Sequence, residues 1–229
     1  MQITHRTNAI RLSLTRARLS HRAIGSLVVV WGILILIGWY AISSYGATPG
    51  DAGGAPEVWP SQSSLTRDVR PTLLVFVHPK CPCSSASLSE LERLMATCSN
   101  EIDAHVVFIA PGGTDINWRN STLYKSAIRI PGVTVESDLD RQEASLFGAR
   151  TSGYCLLYGA DGKLQFQGGL TATRGHEGAN DGAHAIQSAL SGSNNSLRAT
   201  PVFGCPLFES DASFGPAADC APMRPADLP

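Results

Sequence analysis

The chain lacks the spacings on which nucleotide chemistry and most hydrolytic chemistry depend. There is no glycine-rich phosphate loop, no dinucleotide fingerprint, no zinc-finger spacing and no Ser-His-Asp pattern. No internal repeat is visible, and aromatic residues make up only 7% of the sequence. Acidic residues are absent from the first 42 positions, which carry Arg6, Arg11, Arg16, Arg18 and Arg22. Of the 18 Lys and Arg residues, those five leave 13 for the remainder, set against all 19 acidic residues. The remainder is therefore acidic, with a net charge of −6 and no basic cluster, and this excludes nucleic acid as an expected partner.

Charge is missing altogether from Ala23 to Ile42. Twenty apolar residues span a bilayer, and Trp31, Trp39 and Tyr40 suit a membrane setting. The arginines on the N-terminal side predict a single pass across a bacterial cytoplasmic (inner) membrane. Residues 1–22 form a basic cytoplasmic tail, residues 23–42 contact the lipid, and everything after them lies on the extracytoplasmic side. A cleaved signal peptide is the rival reading. Its apolar core should be shorter, and Ser44-Tyr45-Gly46-Ala47 is a weak cleavage site. Both readings put the cysteines where disulfides persist.

What the sequence does have is concentrated between Pro71 and Cys98, PTLLVFVHPKCPCSSASLSELERLMATC. Leu73 to Val77 is a short apolar, β-branched run that predicts a strand buried on both faces. After His78-Pro79-Lys80 come Cys81-Pro82-Cys83, then Leu88, Leu91, Met95 and Cys98 at helical spacing. Pro82 suits the first helical position, which makes Cys81 the expected N-cap and sets Cys83 in the first turn. Unpaired backbone N–H groups and the helix dipole there favour a thiolate. Cys81 is then the attacking thiol and Cys83 the resolving one, in a tight and oxidising ring. Two alternatives stand beside redox exchange: a site for a soft metal such as Cu(I), with His78 or His176 as a third ligand, and a purely structural pair. His78, three residues before Cys81, either tunes the thiol or is a solvated spacer, and Lys80 can also favour a thiolate.

The rest of the chain alternates. Residues 43–70, rich in Gly, Pro, Ser and Ala, read as a flexible linker. A second strand covers 104–110, and Asp115 is a candidate cap for a helix over 116–128. A short third strand covers 132–135. Asp138 precedes a helical stretch over 139–147 that Gly148 closes. Strands over 154–158 and 163–167 flank the hairpin signal Gly159-Ala160-Asp161-Gly162. A last helix covers 182–190. This order predicts an α/β domain over 71–191, with a mixed, mostly parallel sheet and helices on both faces. Residues 192–229 read as a Pro-rich tail, packed on the domain or partly disordered.

A strand leading to a Cys pair at a helix start, followed by a β-β-α ending, resembles the thioredoxin-like superfamily. The segment from Asp138 through Gly148-Ala149-Arg150-Thr151-Ser152-Gly153-Tyr154 to Gly162 is similar to the second half of membrane-anchored bacterial thioredoxin-like and redoxin domains. The whole chain resembles the bacterial family labelled RedB. The sequence departs from the superfamily pattern twice. One residue, not two, separates the thiols, and Ser152-Gly153 stands where a cis-proline is usual. The resemblance implies that Gly153 lies at the cysteine end of the sheet. The loop after the hairpin then borders the Cys pair, which makes Arg174, His176 and Glu177 site-lining candidates.

Cys98 and Cys155 fall at apolar core positions and read as inert. Cys205 is flanked by Val202, Phe203 and Leu207, which can dock it as a third redox thiol or metal ligand; a Cys205–Cys220 staple is the other reading. The first functional expectation is a thiol–disulfide oxidoreductase without a cofactor, acting on protein thiols or disulfides or on a membrane electron donor. The second is a copper-binding protein of respiratory-complex assembly. A thiol peroxidase ranks last, because His78 holds the position at which such enzymes carry a hydroxyl.

Overall fold

The computed structural model describes residues 20–51, 53–110, 116–193 and 197–208. It comprises two units, Met1–Ser44 and Tyr45–Pro229. The first contributes most of helix α1, His21–Ala47, whose apolar window has a mean hydropathy of 2.2 and no buried residue. At about 1.5 Å per residue, its 27 residues are long enough to cross a bilayer. The expected apolar span, 23–42, lies wholly inside it.

The second unit is built on β1, Thr72–Val77, in which every residue is buried. Because successive side chains of a strand point to opposite faces, β1 supplies both halves of the core. Leu73, Val75 and Val77 meet Leu88, Leu91, Leu94 and Met95 of α2 (Ser84–Cys98) and Ile186 of α5 (Asp181–Leu190). Leu74 and Phe76 meet Ala144 of α4 (Gln142–Leu146) together with Phe147, Tyr154 and Tyr158 on the other face. The helices thus lie on both faces, as the element order requires.

Five strands are arranged β3-β2-β1-β4-β5, with β2 at Asp103–Ala110, β3 at Val133–Leu139, β4 at Tyr154–Tyr158 and β5 at Leu164–Gly169. The β1–β2 and β2–β3 pairs are parallel, while β4 is antiparallel to both β1 and β5. Four strands therefore run one way and β4 alone returns.

Several boundaries differ from the expectations. β3 extends to Leu139 because it keeps register with β2 as far as Ala110. In place of a continuous helix over 116–128 there is a 3-10 turn, Ile116–Asn120, then α3, Thr122–Ala127. Ser121 caps α3 by accepting from the Tyr124 N–H; Asp115 lies outside the described residues. α4 starts late because Asp138 reaches forward to accept from the N–H groups of Glu143 and Ala144, at 3.0 and 2.8 Å. Gly148, with φ of 64°, closes that helix as expected.

The flank before the domain does not match its expected description, whereas the one after it packs on the domain. Within 43–70, α1 runs to Ala47, and the following stretch is packed on the domain instead of hanging as a linker. The Trp59 ring lies edge-on to Phe147 and Tyr158 at 5.0 and 5.3 Å, and the Trp59 backbone N–H donates to Gly162 O. The buried Glu143 carboxylate accepts from Ser63 and Ser64 at 2.6 to 2.7 Å. Beyond 191, residues 197–208 form a strap. It runs beside β5, where Thr200 N donates to Gln167 O, and then turns to meet residues 150–152, burying Val202 and Leu207. These contacts follow single hydrogen bonds and lone apolar anchors, which leave no periodic trace in a sequence.

Candidate functional site

At the end of β1 the chain turns through His78-Pro79-Lys80 into Cys81. The His78 N–H donates to Ser152 Oγ at 2.7 Å, and the His78 carbonyl accepts from the Cys81 N–H at 3.0 Å. The His78 ring faces its own loop, its Nδ1 lying 3.3 Å from the Lys80 N–H. Ser84 N donates to Cys81 O, and Ser85 N to Pro82 O, so Cys81-Pro82-Cys83 is wound in i→i+3 turns. Helix α2 therefore starts at Ser84, with Cys83 at the N-cap in helical backbone conformation and no side-chain cap. The expected start at Pro82, with Cys81 as N-cap, is two residues early.

Three thiols meet here. Cys81 is only 2% exposed, yet its pKa is lowered to about 4. The first cause is a hydrogen bond from the Cys205 thiol. Burial opposes it, and the Ser84 hydroxyl and the backbone N–H groups of Cys205 and Ser84 add to the lowering. Cys205 shifts the opposite way, because its thiol gives the hydrogen bond that Cys81 receives, with burial as the second cause. The pair thus divides into a thiolate acceptor and a protonated donor. Cys83 is half-buried and raised, first by burial and then by the negative charge of Cys81, while the Arg174 guanidinium pulls it back down.

The walls of the site come from the loop before β4. The Ser84 and Ser152 hydroxyls lie 2.7 Å apart, both buried. Ser152 N donates to Cys205 O at 2.8 Å, and Gly153 N to Phe76 O at 2.7 Å. Among the described residues no peptide bond is cis. Gly153 has φ of 90°, and a Cβ there would stand 2.8 Å from Ser87 Oγ, so both its conformation and its surroundings require glycine. Gly204 is pressed closer still, since a Cβ would meet Ser152 O at 1.9 Å. The Arg174 guanidinium donates to Gly204 O and so joins the loop after β5 to the strap.

Of the residues singled out from sequence, Cys81, Cys83, Ser152, Gly153, Arg174 and Cys205 come together, and His78 adjoins them through its backbone. Lys80 is exposed beside Cys81, on the rim of a depression of about 280 Å³ that Pro82, Ser85, Ser121 and Ser126 also line. His176 is exposed. Glu177 is drawn away to Arg93 on α2, at 3.2 Å. Ser84 was missed. It stands three residues after Cys81, where a Cys-x-x-Cys motif has its second thiol, so the spacing was readable in Cys81-Pro82-Cys83-Ser84. Among the described residues, no group of three or more His, Cys, Asp or Glu is arranged to hold a metal ion.

No family model matches the chain, and no curated protein matches it. Solved structures do. A hypothetical protein from Sinorhizobium meliloti 1021 superposes with a TM-score of 0.52 at 16% identity, covering 72% of this chain and 96% of that one. An uncharacterized conserved protein from Geobacillus kaustophilus gives 0.51 at 16% identity, covering 73% and 95%. A putative thioredoxin from Neisseria meningitidis gives 0.42 at 18% identity, covering 64% and 93%. With β4 reversed in an otherwise parallel sheet, helices on both faces and the cysteines at the end of the central strand, the chain has a thioredoxin-like fold.

Proposed function

We propose that this protein is a membrane-anchored thiol–disulfide oxidoreductase whose attacking group is the Cys81 thiolate. One observation carries the reading: at the end of the buried central strand Cys81 meets Cys205, whose backbone carbonyl accepts from the Ser152 N–H, and the donors around Cys81 lower its pKa despite burial. A thiolate is the nucleophile of disulfide exchange, and a protonated thiol beside it is a ready partner for the second step. The clients are protein thiols and disulfides on the extracytoplasmic side, with α1 as the anchor and the N-terminal arginines on the cytoplasmic side. A protein dithiol or a membrane electron donor restores the reduced state.

The full chain in detergent should accelerate reduction of insulin disulfides by dithiothreitol, and Cys81→Ser should bring the rate back to that of dithiothreitol alone. If the wild-type chain neither accelerates this reduction nor oxidises a reduced client protein, the reading is wrong. The orientation has its own test. Protease added to intact spheroplasts should remove the domain, and full protection would contradict an extracytoplasmic site.

A further inference from the structure

We propose that Cys205, delivered by the C-terminal strap, is the resolving thiol of this site, so that the exchanging disulfide is Cys81–Cys205 and not Cys81–Cys83. The proposal rests on the oxidoreductase reading and identifies the partner of its attacking thiol.

The strap is seated for this. An antiparallel bridge joins Thr151 to Pro206, Ser152 N donates to Cys205 O at 2.8 Å, and Leu207 N donates to Arg150 O at 2.7 Å. Val202 and Leu207 are buried on either side of Cys205, which fixes its position along the chain. Gly204 lies so close to Ser152 O that no other residue fits, and its carbonyl is held by Arg174. Ser152 in turn holds the Ser84 hydroxyl and the His78 N–H, which flank Cys81 in sequence. The Ser152 contacts that place Cys205 therefore run back to the turn carrying Cys81, and Cys205 is the first cause of the lowered Cys81 pKa.

The local alternatives are weaker. Ser84 occupies the place of the second thiol and cannot form a disulfide. Cys83 is separated from Cys81 only by Pro82, at the start of α2, and the ring it would close is short and stiff. Burial, the charge of Cys81 and then Arg174 act on Cys83, while Cys205 is the first cause of the Cys81 shift.

The chemistry balances without a further reactant. The Cys81 thiolate attacks one sulfur of a client disulfide; that S–S bond breaks, and the client's other sulfur leaves as a thiolate. Cys205 then gives up its proton to the client sulfur that is released and attacks Cys81 Sγ. The bond between Cys81 and the client breaks, and a Cys81–Cys205 disulfide forms. The client gains two electrons, which the Cys81 thiolate and Cys205 thiol lose; one of its protons comes from Cys205, and the sulfur that left first as a thiolate takes its proton from water. The reverse sequence oxidises a client dithiol. Access suits both steps, because the depression beside Cys81 is lined by Lys80, Pro82 and Ser85 and by residues of the α3 segment, but by no strap residue. A client sulfur and Cys205 thus reach Cys81 without competing for one opening.

The test is a disulfide map of the full wild-type chain in detergent after oxidation with one equivalent of diamide. Trypsin frees the peptide that begins at Cys81, and cleavage after Glu209 separates Cys205 from Cys220. The expected product links Cys81 to Cys205; a dominant Cys81–Cys83 link overturns the proposal. A second measurement uses one equivalent of an aromatic disulfide. Cys205→Ser should retain the mixed disulfide on Cys81 at least tenfold longer than wild type, whereas Cys83→Ser should release it as wild type does. Release by Cys83 in the Cys205→Ser protein overturns this inference and leaves the oxidoreductase reading standing. Failure of wild-type Cys81 to form any mixed disulfide overturns both.

Discussion

Cys81 and Cys155 are almost equally shielded from water, and their thiols move in opposite directions. Cys155 lies in the middle of β4 with no exposure, and burial alone pushes its thiol up, leaving an S–H that donates to Gly153 O at 3.4 Å. Cys81, 2% exposed, comes down to about 4. Burial raises the free energy of the charged form in both places. The sign is decided by donors, because Cys81 is met by a thiol, a hydroxyl and two backbone N–H groups, and Cys155 by a carbonyl that can only accept. Cys98 is also buried, packed on α2 among Leu94, Met95 and Ile102. The direction of these two thiol shifts follows the hydrogen-bond donors at the end of the sheet and not exposure.

The strongest way to sharpen that contrast is to remove one thiol at a time. Cys81→Ser should abolish disulfide exchange, while Cys155→Ala should leave the exchange rate within about twofold and cost about 1–2 kcal/mol of stability from a small core cavity. Loss of exchange in Cys155→Ala without unfolding would erase the distinction between the two regions. Next in size, Cys205→Ala should raise the Cys81 pKa by about 2 units or more, read from alkylation rates against pH. Ser84→Ala removes one hydroxyl donor and should raise it by about 1 unit. An unchanged pKa in both variants would mean that the donors do not set the sign.

The same shift makes the reduced protein sensitive to pH. The folded pKa of Cys81 lies below its ordinary value of 9.0, so its ionisation stabilises the reduced fold fully above that value. The contribution is lost as pH falls towards about 4. Thermal unfolding of the reduced wild type should therefore lose more on going from pH 8 to pH 4 than that of Cys81→Ser, and equal losses would contradict the assignment. The smallest effect on chemistry, with a clear one on stability, is expected at Trp59. Trp59→Ala should cost about 3 kcal/mol and leave the Cys81 alkylation profile unchanged, because the ring packs on Phe147 and Tyr158, on the face of the sheet opposite α2.

How far the sequence revealed this arrangement varies with the kind of contact. β1, β4 and the hairpin were legible because a buried strand is written as a continuous apolar run and a turn as Gly and Asp. Gly148 was legible as a helix stop. The argument that brought the loop after β5 to the cysteines identified Arg174 correctly as a neighbour. It failed for Glu177, because Arg93 and the carboxylate of Glu90, which accepts from Gly178 N at 2.6 Å, draw that part of the loop along α2. The segment around Trp59 was illegible as structure, and of the strap only its docking through apolar residues was legible. Each is held by single bridges and isolated anchors, and Gly- and Pro-rich composition reads the same whether a segment is free or pinned. Ser84 was visible but unmarked, since a serine in a helix's first turn is ordinary until Cys81 and Ser152 are seen on either side of it.

The central claim, that donors and not exposure ionise Cys81, is tested most directly by the pH dependence of thiolate absorbance at 240 nm. Reduced wild type and Cys81→Ser would be compared, and the difference between the two curves isolates Cys81. The account predicts an inflection in that difference near pH 4, with the thiolate already complete at neutral pH. An inflection in the ordinary thiol range near about 8.5 would contradict it, and with it the assignment of Cys81 as the attacking group.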